Sequence, residues 1–402
     1  MAVATRALNR RRLTAFALVT PLLAFIGFAF VAPITTMLHQ GVYNPTVAEL
    51  IPDTLARLQD WDGRGTPDDS VLATMAVDLK RLANDRTAGK LAEELNRGLP
   101  GTSSVVKATA RKLRNVADHD LPSVGAALLL EANDRWSSPE LWRTVREAGK
   151  RYSERNFLTA LDLERSPDGE IQRRESARIY IQLYVKTIKM ALIITVLTFL
   201  LGYPLAYMMA NSSSRVANTM LIFILLPFWT SLLVRTTSWI ALLQTNGVIN
   251  SLLMGIGITT QPIEMMYTEF ATIVAMTHVL LPFMVLPLYS VMKGIDPSLM
   301  RASLSLGARP IPSFLRVYFP MTLSGLSAGG LLVFIISVGY YITPALVGGT
   351  DGQMISNVIA FHMQQSNNWE LAAALGTLLL VVIVCLYWAY DRMVGAGNIK
   401  LG

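Results

Sequence analysis

Cysteine is almost missing from this sequence. The single thiol, Cys385, rules out any intrachain disulfide, and it lies within an apolar run near the C-terminus, where redox work is not expected. Charge is scarce too: 16% of the 402 residues are charged against 52% hydrophobic, which excludes a soluble domain of this length and makes lipid the main solvent. The formal net charge of +7 raises the question of nucleic acid, and its placement answers it. Residues 39 to 180 carry 21 basic and 22 acidic side chains, and the rest of the chain carries 14 and 6. The excess therefore sits beside the apolar runs, where it orients a membrane protein, and no nucleic-acid partner is expected. No Gly-x-x-x-x-Gly-Lys-Ser/Thr occurs, so the chain has no such loop to cradle ATP phosphates.

What is present is apolar length. Runs extend from about Leu13 to Leu38, Thr187 to Ala210, Val216 to Leu242, Phe270 to Met292, Met321 to Tyr341 and Leu371 to Tyr390. Each matches the roughly 20 residues needed to cross a hydrocarbon core of about 30 Å, and in lipid only helices satisfy every backbone group internally. The first run follows Arg10, Arg11 and Arg12, lacks a small-x-small cleavage site and is read as a retained span. The sequence thus predicts an all-α integral membrane protein with six spans. Basic residues mark the cytoplasmic segments: Arg6 and Arg10 to Arg12, Arg215, then Lys293, Arg301, Arg309 and Arg316, then Arg392 and Lys400. The alternate connections, about 243 to 269 and 342 to 370, hold only Glu264, Glu269, Asp351 and Glu370, so they face outside and both termini lie inside.

Four regions follow: 1–38, the cytoplasmic N-terminus and first span; 39–180, an extracytoplasmic helical insert; 181–391, a five-helix core carrying a cytoplasmic loop at 293–320; and 392–402, a cytoplasmic tail. The insert shows helical steps at Val71, Met75, Leu79 and Leu82, at Val106, Thr109, Leu113 and Val116, and at Leu141, Val145 and Ala148. Gly63 to Pro67, Pro100 to Ser104 and Ser166 to Gly169 punctuate it. Nothing in it has metal-ligand or nucleophile spacing and His119 stands alone, so it reads as a structural or partner-docking cap. No catalytic residue and no metal site are expected in the chain.

The loop from Asp296 to Pro320 carries the functional reading. Asp296 caps a helix with Pro297 in its first turn, Gly307 ends it at positive φ, and Pro310 and Pro312 restart the chain in a new direction, returning it to the bilayer at Pro320. A rigid knuckle of this kind between two spans can pass force from a soluble partner to both. These residues resemble the cytoplasmic loop of ABC-importer permeases: Glu-Ala-Ala, three residues, Gly, nine residues, an aliphatic residue, a spacer and Leu-Pro. Arg301-Ala302-Ser303, Gly307, Val317, Phe319 and Pro320 stand at those positions, with Arg301 in place of the acidic residue, Ser303 of the second alanine and Phe319 of the leucine. Leu226 to Thr237, Asn246 to Leu253 and Thr343 to Gly349 resemble the spermidine/putrescine-type branch. The resemblance implies that Arg301, Ala302, Ser303, Gly307, Ala308 and Pro320 dock a separate ATP-binding subunit, present in two copies. It also implies a second permease and a periplasmic or extracellular solute-binding protein, with ATP and Mg held by the ATPase and no cofactor on this chain. The implied site of work is the bacterial cytoplasmic membrane, and the implied cargo a polyamine or a related amine, opine or aminophosphonate-like compound.

Inside the spans, Arg235 lies about 18 residues, or roughly 27 Å at 1.5 Å per residue, from the cytoplasmic start of the third run. There it either snorkels to the outer interface or lines the outer vestibule. His278 reads as an interhelical hydrogen-bond partner or a solute contact. Trp229, Trp239, Tyr340 and Tyr341 either stack on a cationic solute or anchor at the interface. Gly325 and Gly329 sit in a small-residue face suited to packing against the second permease. Two other functions compete with an importer permease. An ion-coupled secondary transporter needs an intramembrane carboxylate, and the central parts of all six runs contain no Asp or Glu. A membrane-anchored sensor would leave the loop from Gly307 to Pro320 without purpose.

Overall fold

The computed structural model describes residues 16–394 apart from 118, 167–169 and 175–177. Arg6, Arg10 to Arg12, the start of the first run at Leu13, residues 167–169 of the Ser166 to Gly169 stretch, and Lys400 lie outside the described residues. The chain divides into two compact units, Met1–Phe157 and Leu158–Gly402.

The first unit opens with α1, Phe16–Gln40. A π-helical turn at Gly27–Val31 lies just before Pro33, with the Ala32 N–H reaching back to Gly27 O. The widened turn accommodates a residue that has no N–H and crowds the preceding carbonyls. Short helices follow: α2 Thr46–Leu50, α3 Pro52–Leu58, α4 Asp69–Asn84, α5 Ala88–Gly98, α6 Thr102–Leu113, α7 Leu121–Ala132 and α8 Pro139–Ala148. Val71, Met75, Leu79 and Leu82 of α4, with Val106 and Leu113 of α6 and Leu141 and Val145 of α8, are buried in one core. At its centre Trp136 and Trp142 are fully buried with ring centroids 5.7 Å apart. Trp136 Nε1 donates to Thr109 Oγ1 at 3.0 Å, and Trp142 Nε1 to Trp136 O at 2.7 Å, so neither indole leaves a buried donor unmet. The stretch closes on itself: Tyr43 and Tyr152 form an antiparallel bridge flanked by Asn44 N–H to Arg151 O and Ser153 N–H to Val42 O, both 2.9 Å. His39 stacks on Tyr43 at the end of α1, with centroids 4.7 Å apart.

Helix α9, Arg155–Ala160, leads into the second unit and a small hairpin, β1 Leu163–Arg165 antiparallel to β2 Ile171–Arg173 with Glu164 opposite Gln172. The remaining helices are α10 Tyr180–Asn211, α11 Ser214–Trp229, α12 Leu232–Leu243, α13 Val248–Gly255, α14 Glu269–Lys293, α15 Pro297–Ser305, α16 Pro310–Gly339, α17 Ile342–Val347, α18 Ile355–Gln364 and α19 Trp369–Val394. Helices α10, α14 and α16 pack on one another as the core of the unit.

Three expectations about the spans change. Outside them, residues 158–180 group by contact with the second unit, and α10 starts at Tyr180, where the insert was expected to end. Asp162 explains why: its carboxylate accepts the N–H of Tyr180 at 3.2 Å and of Ile181 at 2.8 Å, capping α10. The second span begins at Tyr180 rather than near Thr187. The third run is not one helix, because Thr230 and Ser231 turn extended and the chain bends by 98° between α11 and the stretch Leu232–Gly255 that holds α12 and α13. Pro227 weakens the end of α11, and Ser231 Oγ accepts the Val234 N–H at 3.2 Å, an N-cap placed inside an apolar run. Among the described residues five helices are long and apolar enough to cross a bilayer, and the bent pair makes a sixth when counted as one crossing. Finally, the fifth span starts at Pro310, and Pro320 lies within it after a π-helical turn, Phe314–Tyr318, instead of marking its entrance.

The small-residue face also finds a different partner. A Cβ on Gly325 would stand 2.9 Å from Pro287 O, and one on Gly329 would stand 3.1 Å from Met284 O. Both glycines are therefore consumed in packing α16 on α14 of the same chain, where their lack of a side chain lets the two backbones approach. They are not free to meet a second permease.

Candidate functional site

Helix α15 is nine residues long, too short to be stable on sequence propensity alone, so its ends decide it. Asp296 Oδ1 accepts the Ser298 N–H at 2.8 Å, and Pro297 occupies the first turn. Ser298's backbone and then its side-chain hydrogen bond hold the Asp296 carboxyl below its ordinary value, with a smaller pull from Arg301. The cap is therefore present above the ordinary carboxylate pKa and is lost only as pH falls through the lower folded value, which leaves it charged at neutral pH. At the other end Gly307 sits at φ +90. Its N–H reaches Leu304 O at 3.0 Å, and Ala308 N–H reaches Ser303 O at 3.2 Å, the paired bonds of a Schellman turn. Asp296→Ala is expected to speed amide exchange at Leu299 to Ala302, whereas Asp296→Asn, which keeps an acceptor, leaves it slow; hydrogen exchange read by mass spectrometry checks this.

The structure divides the residues expected at the docking surface. Arg301, Ala302, Gly307 and Pro320 are exposed, Ala308 is half-buried, and Pro320 lies inside α16. Ser303 faces inward, its Oγ accepting from the buried Ser313 Oγ at 2.7 Å, which seats α15 against the start of α16. The composition of the loop hid another feature: Leu306 is 89% exposed and Ile311 73%, with Leu299, Leu304 and Leu315 open beside them. An exposed apolar patch of this kind suits contact with a protein partner or with lipid.

Three of the candidates for the translocation path, Trp229, Tyr340 and Tyr341, stand at two breaks between helices. At the first break Trp229 is exposed at the corner between α11 and α12. The second separates α16 from α17 at Tyr340 and Tyr341. Their freed carbonyls accept from Ser356 Oγ at 2.8 Å and Asn357 Nδ2 at 2.7 Å, at the start of α18. Thr236 and Thr343, both buried, join α12 to α17 with hydroxyl oxygens 3.4 Å apart. Discontinuous helices with satisfied backbone are a recurrent way to build a polar site at membrane depth. Trp239 Nε1 donates to His278 Nδ1 at 3.3 Å, an interhelical bond between α12 and α14. Arg235 lies near enough to His278 and Tyr340 for its charge to act on both. The 98° bend removes the basis for measuring its depth along a straight helix. Tyr341 is exposed, while Tyr340 is half-buried.

One cluster escaped the sequence reading altogether. Lys189 pairs with Glu269 at 2.8 Å and Lys186 with Asp351 at 3.7 Å, and Asp351 Oδ2 accepts the Glu269 N–H at 3.2 Å at the start of α14. The turn beneath Asp351 admits no side chains: a Cβ on Gly348 or Gly352 would come within 2.5 Å of Thr272 Oγ1. Among the described residues no group of His, Cys, Asp or Glu is placed to hold a metal ion.

Residues 202–395 match the family described as the binding-protein-dependent transport system inner membrane component. The spermidine/putrescine transport system permease protein PotB of Escherichia coli is 34% identical over 218 residues, 54% of this chain and 79% of PotB. The chain belongs to this permease family. It is a multi-pass inner-membrane permease subunit of an ABC importer, and its fold class is the all-α one expected. The inner membrane ABC transporter permease protein YdcU of the same organism is 31% identical over 229 residues, 53% of this chain and 71% of YdcU. Among solved structures, a bacterial ABC transporter involved in the import of the acidic polysaccharide alginate aligns with a TM-score of 0.44 at 18% identity, over 56% of this chain and 81% of that one. The part of PotB outside its match is too short to hold a domain the size of residues 45–150. That domain is thus additional to what this permease shares with PotB.

Proposed function

We propose that this permease carries a polyamine-class solute inward, driven by ATP hydrolysis on a separate subunit that docks on α15. The observation that carries the reading is the doubly capped α15 with Leu306 and Ile311 bared beside it, between two long spans. A nine-residue helix fixed at both ends moves as a unit, so a push on it reaches α14 and α16 together. Arg301, Ala302, Leu304 and Leu306 are the contacts we assign to the ATPase, two copies of which serve a pair of permeases. ATP and Mg belong to that subunit, and this chain binds no cofactor. The polyamine assignment follows PotB. The loop containing α15 and both termini face the cytoplasm on the distribution of Lys and Arg, while residues 39–180 face outside, on the side where the solute-binding protein delivers its cargo.

Co-purification in detergent is expected to bring down an ATPase and a second permease. Liposomes holding that complex are expected to take up spermidine only with ATP and the solute-binding protein. Uptake by this chain without any nucleotide hydrolase would overturn the reading.

A further inference from the structure

Lys189 is a charged residue on a face that is otherwise apolar from Val185 to Leu200. Val185, Leu192, Val196 and Leu200 flank it at three- and four-residue steps along α10, all of them exposed, so this stripe of the helix is open to lipid. A lysine in such a stripe is tolerated where the hydrocarbon ends, and the helix lengths put it there. At roughly 1.5 Å per residue Lys189 stands about 33 Å from Asn211, the far end of α10. Its partner Glu269, 2.8 Å away, stands about 36 Å from Lys293 at the far end of α14. Both spans slightly exceed a hydrocarbon core of about 30 Å, which places the pair at headgroup level, in the leaflet away from α15.

A cavity of about 470 Å³ opens at that level, lined by Ile181, Gln182, Val185, Lys186, Lys189 and Glu269. It brings together two ammonium groups one helical turn apart, one carboxylate, and an apolar rim that continues into the stripe. Lys189 gives one donor to Glu269, and Lys186 reaches Asp351. An ammonium has three donors, so each lysine retains N–H groups for a phosphodiester, and the Glu269 carboxylate retains lone pairs for a second ammonium. With Asp351 behind Lys186 the four charges sum to zero, so the site suits a neutral zwitterion better than a net anion. An anionic phospholipid would bring its headgroup against Glu269 with no cation of its own. A choline headgroup is zwitterionic but has no N–H to donate to the carboxylate. A soluble phosphate ester has no use for the apolar stripe. We infer that the cavity holds phosphatidylethanolamine, its phosphodiester on Lys186 and Lys189, its primary ammonium on Glu269 and one acyl chain along Val185, Leu192 and Val196. The lipid would then bind α10 and the start of α14 together at the end opposite the α15 loop.

The test uses the full chain purified in detergent and titrated with defined lipids, read by native mass spectrometry. Phosphatidylethanolamine is expected to bind on the order of 10-fold more tightly than phosphatidylcholine or phosphatidylglycerol with the same chains, the worth of one charge-assisted hydrogen bond. Lys189→Gln and Glu269→Gln are each expected to remove that preference. Because either variant also breaks the pair between α10 and α14, a second measurement leaves the pair intact. A photo-crosslinking amino acid at Val185, in an otherwise unaltered chain in vesicles containing phosphatidylethanolamine, is expected to label phospholipid. Equal binding of the three lipids, or a preference that survives both variants, would overturn the inference. So would labelling of protein instead of lipid from Val185, which would show the stripe covered by another helix. Displacement of the lipid by glycerophosphoethanolamine at matching concentration would overturn it too, by assigning the cavity to a soluble headgroup compound. None of these readouts involves uptake or ATP, so their failure is distinct from failure of the proposed function.

Discussion

Gly307→Val is expected to abolish solute-dependent uptake while leaving the membrane helices folded. A Cβ at this position would meet nothing within 4 Å, so the substitution causes no clash and acts through the backbone alone. At φ +90 a β-branched residue is strained by about 1–3 kcal/mol. That strain converts to roughly 5- to 150-fold in the population of the intact turn. Because α15 is too short to persist without its ends, losing the Schellman turn loses the helix and the seat of Leu304 and Leu306 with it. ATP turnover by the ATPase proposed to dock on α15 is then expected no longer to follow solute. Gly307→Asn serves as the control, since asparagine enters the left-handed region more easily and is expected to keep most of the uptake. Measuring spermidine uptake and ATP hydrolysis side by side in liposomes checks both variants. Normal uptake by the valine variant, or equal damage from asparagine, would remove the turn from the coupling mechanism.

Trp136→Ala should be as damaging, in a different place. Replacing a fully buried tryptophan costs about 3–5 kcal/mol, a large share of what a small domain possesses. It also deprives Trp142 of its ring neighbour and leaves Thr109 Oγ1 without its indole donor. Limited trypsin digestion of the full chain is expected to cut within residues 45–150 while a fragment from the Leu158 side onward survives. The fragment masses report directly whether the two units melt separately. Digestion that spreads evenly through both would show that they do not.

Much of this is legible in the amino-acid sequence, for reasons that differ by element. Asp296 and Gly307 were readable because capping and left-handed backbone are local, decided by one residue and its immediate neighbours. Apolar length gave most of the spans for the same reason. Hydropathy did not reveal the break at Thr230 and Ser231, because the residues that make it are uncharged and the run stays apolar on both sides. Pro227 and Ser231 were the available signals, but proline is tolerated in membrane helices and serine is unremarkable there. The early start of α10 was masked by Lys186 and Lys189, whose charges appear to end an apolar run until Asp351 and Glu269 arrive from far along the chain to meet them. Gly325 and Gly329 announced a close helix contact without saying with which helix. Ser303 matched a family position by spacing, yet spacing could not show that its hydroxyl turns inward to Ser313.

The bridge between Tyr43 and Tyr152 brings together the two ends of the domain that PotB lacks room for. More than a hundred residues depart from and return to one pair of facing tyrosines, so to the rest of the polypeptide they are equivalent to a tight hairpin. The entropy of closing so long a loop is met by the core around Trp136, inside the module itself. Joining residue 43 directly to residue 152 therefore asks the flanking chain to span no more distance than it already does.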